Sequence, residues 1–259
     1  MSRKPLEEYE RLEMKKRAQQ VNFEISQLGI VDIFDMIEQK ALLIKSPYVN
    51  SKEQARFSGF CTYIDENFVV FINTAYSLGH QRFTAAHELY HLYYDADKLK
   101  SNKLLKKDKT EDHNEKLAQC FASELLMPED RLRSLFAKEV GEKELTVHHV
   151  IRLHQTFKVS YRAMLTRCCN LGLITLNTRD ELLKFGSIEN AELLQKLTKE
   201  NGYKTDILLP SYEKYVSREF VDLAIDNFGN NKISEGRLKS LLAYAGIDDY
   251  ESIIKGKKE

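Results

Sequence analysis

The spacing of apolar residues in the first third of the chain predicts helices followed by strands. Residues 6–28 and 32–41 have helical patterns, and the first of these helices is highly charged. Two β-rich runs follow at residues 60–64 and 68–73, and residues 65–67 separate them. Short strands separated by turn-forming residues are typical of a β-hairpin. The pattern therefore predicts two helices followed by a hairpin.

The middle of the chain predicts two further helices. Residues 82–94 contain no glycine or proline, and apolar side chains flank most sides of the predicted helix, so we expect it to be largely buried. Residues 115–127 have a helical pattern and predict a second helix, which Pro128 ends. Residues 98–109, between the two helices, contain six lysines. Such a charge run is typical of a solvated loop, and a mobile flap over a cleft is the alternative.

Residues 146–175 have a helix–turn–helix pattern. Two helices are predicted over residues 147–157 and 161–171, around a turn at residues 158–160. A DNA-reading module needs basic residues on the exposed side of its second helix, and only Arg162 and Arg167 qualify. The pattern therefore favours packing of this segment against the rest of the protein and argues against direct DNA binding.

The remaining third of the chain is more charged. Residues 208–228 and 233–245 predict two helices around a turn at residues 229–231. No chemistry is assigned to this region, for which regulation or substrate capture is the hypothesis.

Composition narrows the class of protein. The chain has 259 residues, of which 42% are hydrophobic, and its formal net charge is zero. Such a chain can bury a sizeable core, whereas its zero net charge argues against a general nucleic-acid or anionic-membrane binder. No signal segment or run of about twenty apolar residues is present, which predicts a cytoplasmic protein without membrane association. The four cysteines form no metal-binding or disulfide pattern and are interpreted as reduced.

The segment His87-Glu88-Leu89-Tyr90-His91 has the H-E-x-x-H pattern of zinc peptidases. Residues four apart on a helix lie on one face, so His87 and His91 can both reach one metal ion. Glu88 lies about 100° around the helix from His87, where it is placed to accept a proton and not to bind the metal. The pattern therefore predicts His87 and His91 as zinc ligands and Glu88 as the catalytic base.

A catalytic zinc ion needs a third protein ligand and one open position. Glu115 lies on the apolar side of its predicted helix, which favours a ligand role. Alternatively, Glu115 is the N3 residue of a capping arrangement that Asp112 opens, which would require no metal. By spacing alone, other residues also remain candidate ligands: Glu111, His113, Asp95 and Asp97.

Two further residue groups are candidates for the surroundings of the metal. His113 is close enough in sequence to Glu115 to stabilise an oxyanion near the metal. Residues 68–73 are the candidate edge strand that would hold a substrate backbone by strand addition, and a core strand is the alternative.

Three motifs in order resemble the ImmA/IrrE family of bacterial and phage metallopeptidases. They are the stretch at residues 82–91, the Glu115-x-x-Ala118-x-x-Phe121-Ala122 stretch, and Leu125-Leu126-Met127-Pro128. The resemblance covers about residues 20–175. It departs from the family pattern at Tyr90, where glycine is common, and at Gln119, where asparagine is common. Neither position is a ligand.

The resemblance implies that His87, His91 and Glu115 bind zinc and that Glu88 is the catalytic base. It also implies an α+β, zincin-like metallopeptidase domain of the gluzincin kind, with a small β-sheet and mainly helical surroundings, followed by a helical C-terminal region. We expect a core at residues 1–130, a helix–turn–helix-like segment at 131–177 packed on it, and a helical region at 178–259.

The implied activity is zinc-dependent cleavage of a protein substrate. By resemblance, the substrate is a helix–turn–helix transcriptional repressor, and its cleavage derepresses stress or mobile-element genes. The alternative is a non-catalytic regulator that binds DNA or a repressor and contains zinc only as a structural element.

Overall fold

The computed structural model of the chain describes residues 5–49, 57–101 and 109–247. Within these residues, the helices are α1 Glu8–Gln27, α2 Ile33–Glu38, α3 Leu78–Tyr94, α4 Ala96–Lys100, α5 Lys109–Leu126, α6 Glu129–Glu139, α7 Val147–Phe157, α8 Tyr161–Asn170, α9 Leu176–Leu183, α10 Ala191–Glu200, α11 Arg218–Gly229 and α12 Glu235–Tyr244. The strands are β1 Leu42–Ser46, β2 Gly59–Ile64, β3 Asn67–Asn73 and β4 Tyr215–Val216.

The four strands form one sheet in the order β2-β3-β1-β4. Strand β1 runs parallel to β3, and the other two neighbouring pairs are antiparallel. The predicted hairpin of β2 and β3 is confirmed. Strand β1 was not predicted, and it places β3 inside the sheet. The prediction that residues 68–73 form the substrate-holding edge is therefore wrong, because both sides of β3 are paired.

Strand β2 forms that edge of the sheet, since β3 is its one strand partner among the described residues. The backbone N–H of Asn73 donates to the carbonyl oxygen of Ser58 at 2.8 Å. Hydrogen-bonded and non-hydrogen-bonded pairs alternate along an antiparallel ladder. The backbone N–H and C=O groups of Gly59, Cys61 and Tyr63 therefore point away from β3, toward the outer edge.

Helix α3 packs on one face of this sheet, next to β2. A Cβ atom at Gly59 would lie 2.6 Å from both the Phe71 carbonyl oxygen and Cγ2 of Thr84 on α3. Only glycine lets the two elements approach this closely without a shift. Helix α5 packs on α3, and α1 packs on α5. The core that holds these elements together includes Val70, Ile72, Ala85, Ala86, Leu89, Ala118 and Phe121.

Both predicted helices of the helix–turn–helix pattern are confirmed as α7 and α8, and their turn contacts the start of α3. A Cβ atom at Gly79 would lie 2.5 Å from the backbone nitrogen of Ser160 and 2.6 Å from the carbonyl carbon of Val159. The Arg82 Nε donates to the carbonyl oxygen of Lys158 at 3.1 Å. The segment therefore packs directly against the helix that carries the H-E-x-x-H motif.

The C-terminal region is helical, as predicted, but the first of its two predicted helices begins later, at Arg218. Residues 209–217 are not helical, and within them β4 pairs antiparallel with β1. The Leu78 backbone N–H donates to the carbonyl oxygen of Leu209 at 2.9 Å, which ties this segment to the start of α3. The prediction of a helix from residue 208 is wrong, because Pro210 and pairing with β1 favour extended backbone here.

The architecture is thus mixed α+β, with a four-stranded sheet, mostly helical surroundings and a helical C-terminal region. This fold class is the one that the sequence predicted. None of the helices in the described part of the chain is long and apolar enough to cross a membrane.

Candidate metal centre

Helix α3 places His87 and His91 one turn apart on the same face. Their Nε2 atoms lie 3.3 Å from each other. Both side chains are largely buried, because α3 is covered by the sheet on one side and by α5 on another. Two imidazole nitrogens thus converge on one point, as the spacing of the motif predicts.

Helix α5 brings Glu115 to the same point. Its Oε2 lies 3.1 Å from Nε2 of His87, and its Oε1 lies 3.5 Å from Nε2 of His91. Because α5 begins at Lys109, Asp112 and Glu115 both lie within the helix and do not form its N-terminal cap. The capping alternative for Glu115 is therefore excluded.

The geometry of these three donors fits a zinc ion. For zinc bonds of about 2.0–2.1 Å in tetrahedral geometry, neighbouring donor atoms lie roughly 3.3–3.4 Å apart. The two histidine nitrogens here lie 3.3 Å apart, and each lies 3.1 or 3.5 Å from one of the two carboxylate oxygens of Glu115. Two imidazole nitrogens and one carboxylate oxygen are also a donor set that zinc prefers. The side chain of Glu115 remains 44% exposed, so the cluster opens to solvent.

Asp95 lies behind His91 and orients it. Its Oδ2 is 2.9 Å from Nδ1 of His91, and its Oδ1 also pairs with Lys98. Burial alone would lower the pKa of His91, but hydrogen bonds to Asp95 and Glu115 raise that pKa to about 9. Burial would raise the pKa of Asp95, but its hydrogen bonds to His91 and Lys98 bring it below the usual value.

The sequence had offered Asp95 only as a candidate ligand. Its spacing of four residues from His91, directly after the end of the same helix, is the signal for a supporting role, because residues four apart are neighbours on a helix surface.

Glu88 lies beside the cluster and is not one of the three converging donors. Burial raises the pKa of its carboxyl group, while the nearby His87 and His91 act in the opposite direction. A backbone hydrogen bond from Cys61 on β2 also favours the carboxylate. The carboxylate is thus held between the histidine cluster and the outer edge of the sheet, a contact that the sequence pattern did not indicate.

The structure does not bring His113 into the cluster. Its Nε2 lies 2.8 Å from Oε1 of Glu10 on α1, and its side chain is about half exposed. The oxyanion role expected for His113 is therefore not supported by its position. Of the other candidate ligands, Asp97 is exposed on α4, and the side chain of Glu111 lies outside the described residues. Most of the lysine-rich loop, residues 102–108, also lies outside them.

The second helix of the helix–turn–helix pattern offers little basic surface. Arg167 is buried, and its Nη2 lies 2.6 Å from Oε1 of Glu124 on α5. Arg162 is exposed. One of the two arginines expected to face solvent thus joins α8 to α5.

Residues 39–168, half of the chain, match the family model described as an IrrE N-terminal-like domain. The match contains the H-E-x-x-H helix, Glu115, α7 and most of α8. The chain therefore belongs to the ImmA/IrrE metallopeptidase family, as the three motifs indicated. No match to a curated protein was found.

Proposed function

We propose that this protein is a zinc-dependent endopeptidase in which His87, His91 and Glu115 bind the metal and Glu88 is the general base. The observation that carries the proposal is the convergence of the three donor atoms within 4.8 Å of one another, with Glu88 on the same helix beside them. Membership in a metallopeptidase family supports the same assignment.

In the proposed reaction, the metal and Glu88 have different roles. When bound, zinc supplies Lewis acidity and lowers the pKa of water toward about 7. Glu88 accepts the proton of the attacking water and can then deliver it to the leaving amine. Its burial excludes competing solvent, and the Cys61 backbone hydrogen bond holds its carboxylate in place.

Strand β2 supplies a place for the substrate backbone. Its outward-pointing N–H and C=O groups, apart from the Cys61 N–H that donates to Glu88, can pair with an extended segment of another protein, as in other cases of strand addition. Because Cys61 lies on this edge and contacts Glu88, a peptide paired with β2 would pass close to the base. The substrate would therefore be a locally unfolded or extended protein segment.

The resemblance to the family supports a helix–turn–helix transcriptional repressor as the substrate. Cleavage would then derepress stress or mobile-element genes, and a repressor substrate would place the reaction in the cytoplasm. The zero net charge and the buried Arg167 both favour action on a protein over direct DNA binding.

The test is Glu88→Gln, which keeps the size of the side chain and removes the base. We expect unchanged zinc content and a cleavage rate lower by about 10²–10⁴-fold. The readouts are repressor integrity by immunoblot and expression from the promoter controlled by a repressor encoded beside this gene. Glu181→Gln, which changes an exposed glutamate on α9, is the matched control.

If Glu88→Gln still derepresses the promoter while the repressor stays intact in every strain, the protein acts by binding, and the peptidase proposal is wrong.

A further inference from the structure

The face of β2 directed away from α3 carries two exposed apolar side chains. Phe60 is 40% exposed and Ile64 is 55% exposed, with Thr62 between them on the same face. Large apolar residues at the edge of a sheet are a liability, and proteins usually protect such edges with charged residues. Their presence here indicates that the edge has an apolar partner.

The ring of Phe60 is held in place by its neighbours. It stacks on Phe71 of β3 at a centroid distance of 5.6 Å and an interplanar angle of 16°. Phe57 lies 5.6 Å from Phe60 and 5.5 Å from Phe71, so three rings are in mutual contact. A preorganised apolar surface loses little conformational entropy when a partner binds.

This surface lies next to the proposed catalytic base. The hydrogen bond from the Cys61 backbone places the Glu88 carboxylate of α3 beside β2, next to the residue between Phe60 and Thr62. The same edge presents the outward backbone groups of Gly59 and Tyr63 and the carbonyl oxygen of Cys61, whose N–H donates to Glu88. A peptide paired there would keep its backbone near Glu88 and would place alternate side chains beside Phe60, Thr62 and Ile64.

We propose that Phe60 and Ile64 determine substrate specificity by selecting apolar side chains at two positions, four residues apart, in an extended protein segment that pairs with β2. The proposal rests on the peptidase function proposed above. Because Glu88 lies near Cys61, the residue opposite Phe60 is within about two residues of the cleaved bond.

The chemistry of the face supports an apolar substrate. The side chains of β2 and β3 on this side are Phe60, Thr62, Ile64, Asn67, Val69, Phe71 and Asn73, and none of them is charged. A charged substrate side chain would lose hydration there without gaining a partner of opposite charge. Directly opposed apolar pairs, in contrast, stabilise a two-stranded ladder.

The experiment uses the full chain loaded with zinc and a library of randomised twelve-residue peptides, whose products are identified by mass spectrometry. We expect products that depend on Glu88 and carry apolar residues at two positions four apart, one of them within about two residues of the cut. Two defined peptides, with leucine or serine at both positions, then provide kcat/KM values.

Phe60→Thr and Ile64→Thr should each lower kcat/KM for the leucine peptide about fivefold and leave the value for the serine peptide unchanged. Ile188→Thr, at a residue that is 95% exposed on a different part of the surface, is the control and should change neither value. Ile64→Lys should shift the preference at its position toward acidic residues, which a purely structural role would not produce.

Two outcomes would overturn the specificity proposal alone. One is cleavage that depends on Glu88 but shows no apolar pattern, and the other is an equal effect of the Thr variants on both peptides. Absence of any cleavage that depends on Glu88 would overturn the peptidase function together with it. Since Ile64 is 55% exposed, its variants remain informative even if Phe60→Thr fails to fold.

Discussion

The Nδ1 atom of His91 lies 2.9 Å from Oδ2 of Asp95, the C-cap residue of α3. In the neutral imidazole with Nδ1 donating its proton to Asp95, the lone pair of Nε2 points toward His87 and Glu115. A carboxylate behind a metal-binding histidine fixes its tautomer and orientation and increases its basicity. We therefore expect Asp95 to contribute to metal affinity without contacting the metal.

Replacing Asp95 tests this role. Asp95→Ala should weaken zinc binding by about 10–100-fold, because His91 loses the partner that orients it. Competition with a chromophoric chelator at fixed pH measures the affinity. Asp97→Ala, which removes an exposed carboxylate two residues away, is the matched control and should bind zinc like the wild type. Equal affinities for all three proteins would assign Asp95 a role in helix stability only.

The third ligand can be tested separately. Glu115→Gln should sharply reduce zinc content, because a neutral amide replaces the only carboxylate of the cluster. The measurement is metal content by elemental analysis after dialysis at neutral pH. His113→Gln, on the same helix but paired with Glu10, should retain full zinc content and cleavage rate. A loss of zinc in the His113 variant instead would contradict the ligand set.

His154 should make stability depend on pH. It is fully buried on α7, its Nδ1 lies 3.1 Å from the Val159 carbonyl oxygen, and burial lowers its pKa to about 4. Between pH 4 and about 6.5, the unfolded chain binds a proton that the folded chain does not, so the free energy of unfolding falls as pH decreases. The contribution of His154 is fully present above about pH 6.5, and about 3 kcal/mol of it is lost by pH 4.

Urea unfolding at several pH values measures this dependence. His154→Gln should flatten the curve between pH 4 and 6.5 relative to the wild type. The difference between the two proteins above pH 7 gives the separate cost of the altered contact with Val159. Parallel curves for wild type and variant would show that His154 does not titrate as its burial predicts.

The buried ion pair of Arg167 and Glu124 should respond differently to single and double replacement. Arg167→Met or Glu124→Leu alone leaves an uncompensated buried charge and should lower the free energy of unfolding by about 3–5 kcal/mol. The double variant removes both charges and should recover most of that loss. Denaturant unfolding of the four proteins gives the coupling energy, and additive losses would contradict a direct interaction between the two side chains.

Local sequence determined the elements that carry the chemistry. The spacing of His87 and His91 places both on one face of any helix, so their convergence did not depend on the rest of the fold. The bounds of α7 and the hairpin of β2 and β3 also followed from short-range patterns and turn residues. In each case, the interactions that decide the structure lie within a few residues along the chain.

Only the tertiary structure decided which carboxylate joins the histidines and which strand is exposed. Glu115 was one of several candidates until the packing of α5 on α3 brought it to 3.1 Å from His87, 28 residues away in sequence. Strand β3 became an interior strand because β1, which local pattern did not identify, pairs with it. Such choices depend on contacts between residues far apart in the chain, and the periodicity of any one segment contains no information about its partner.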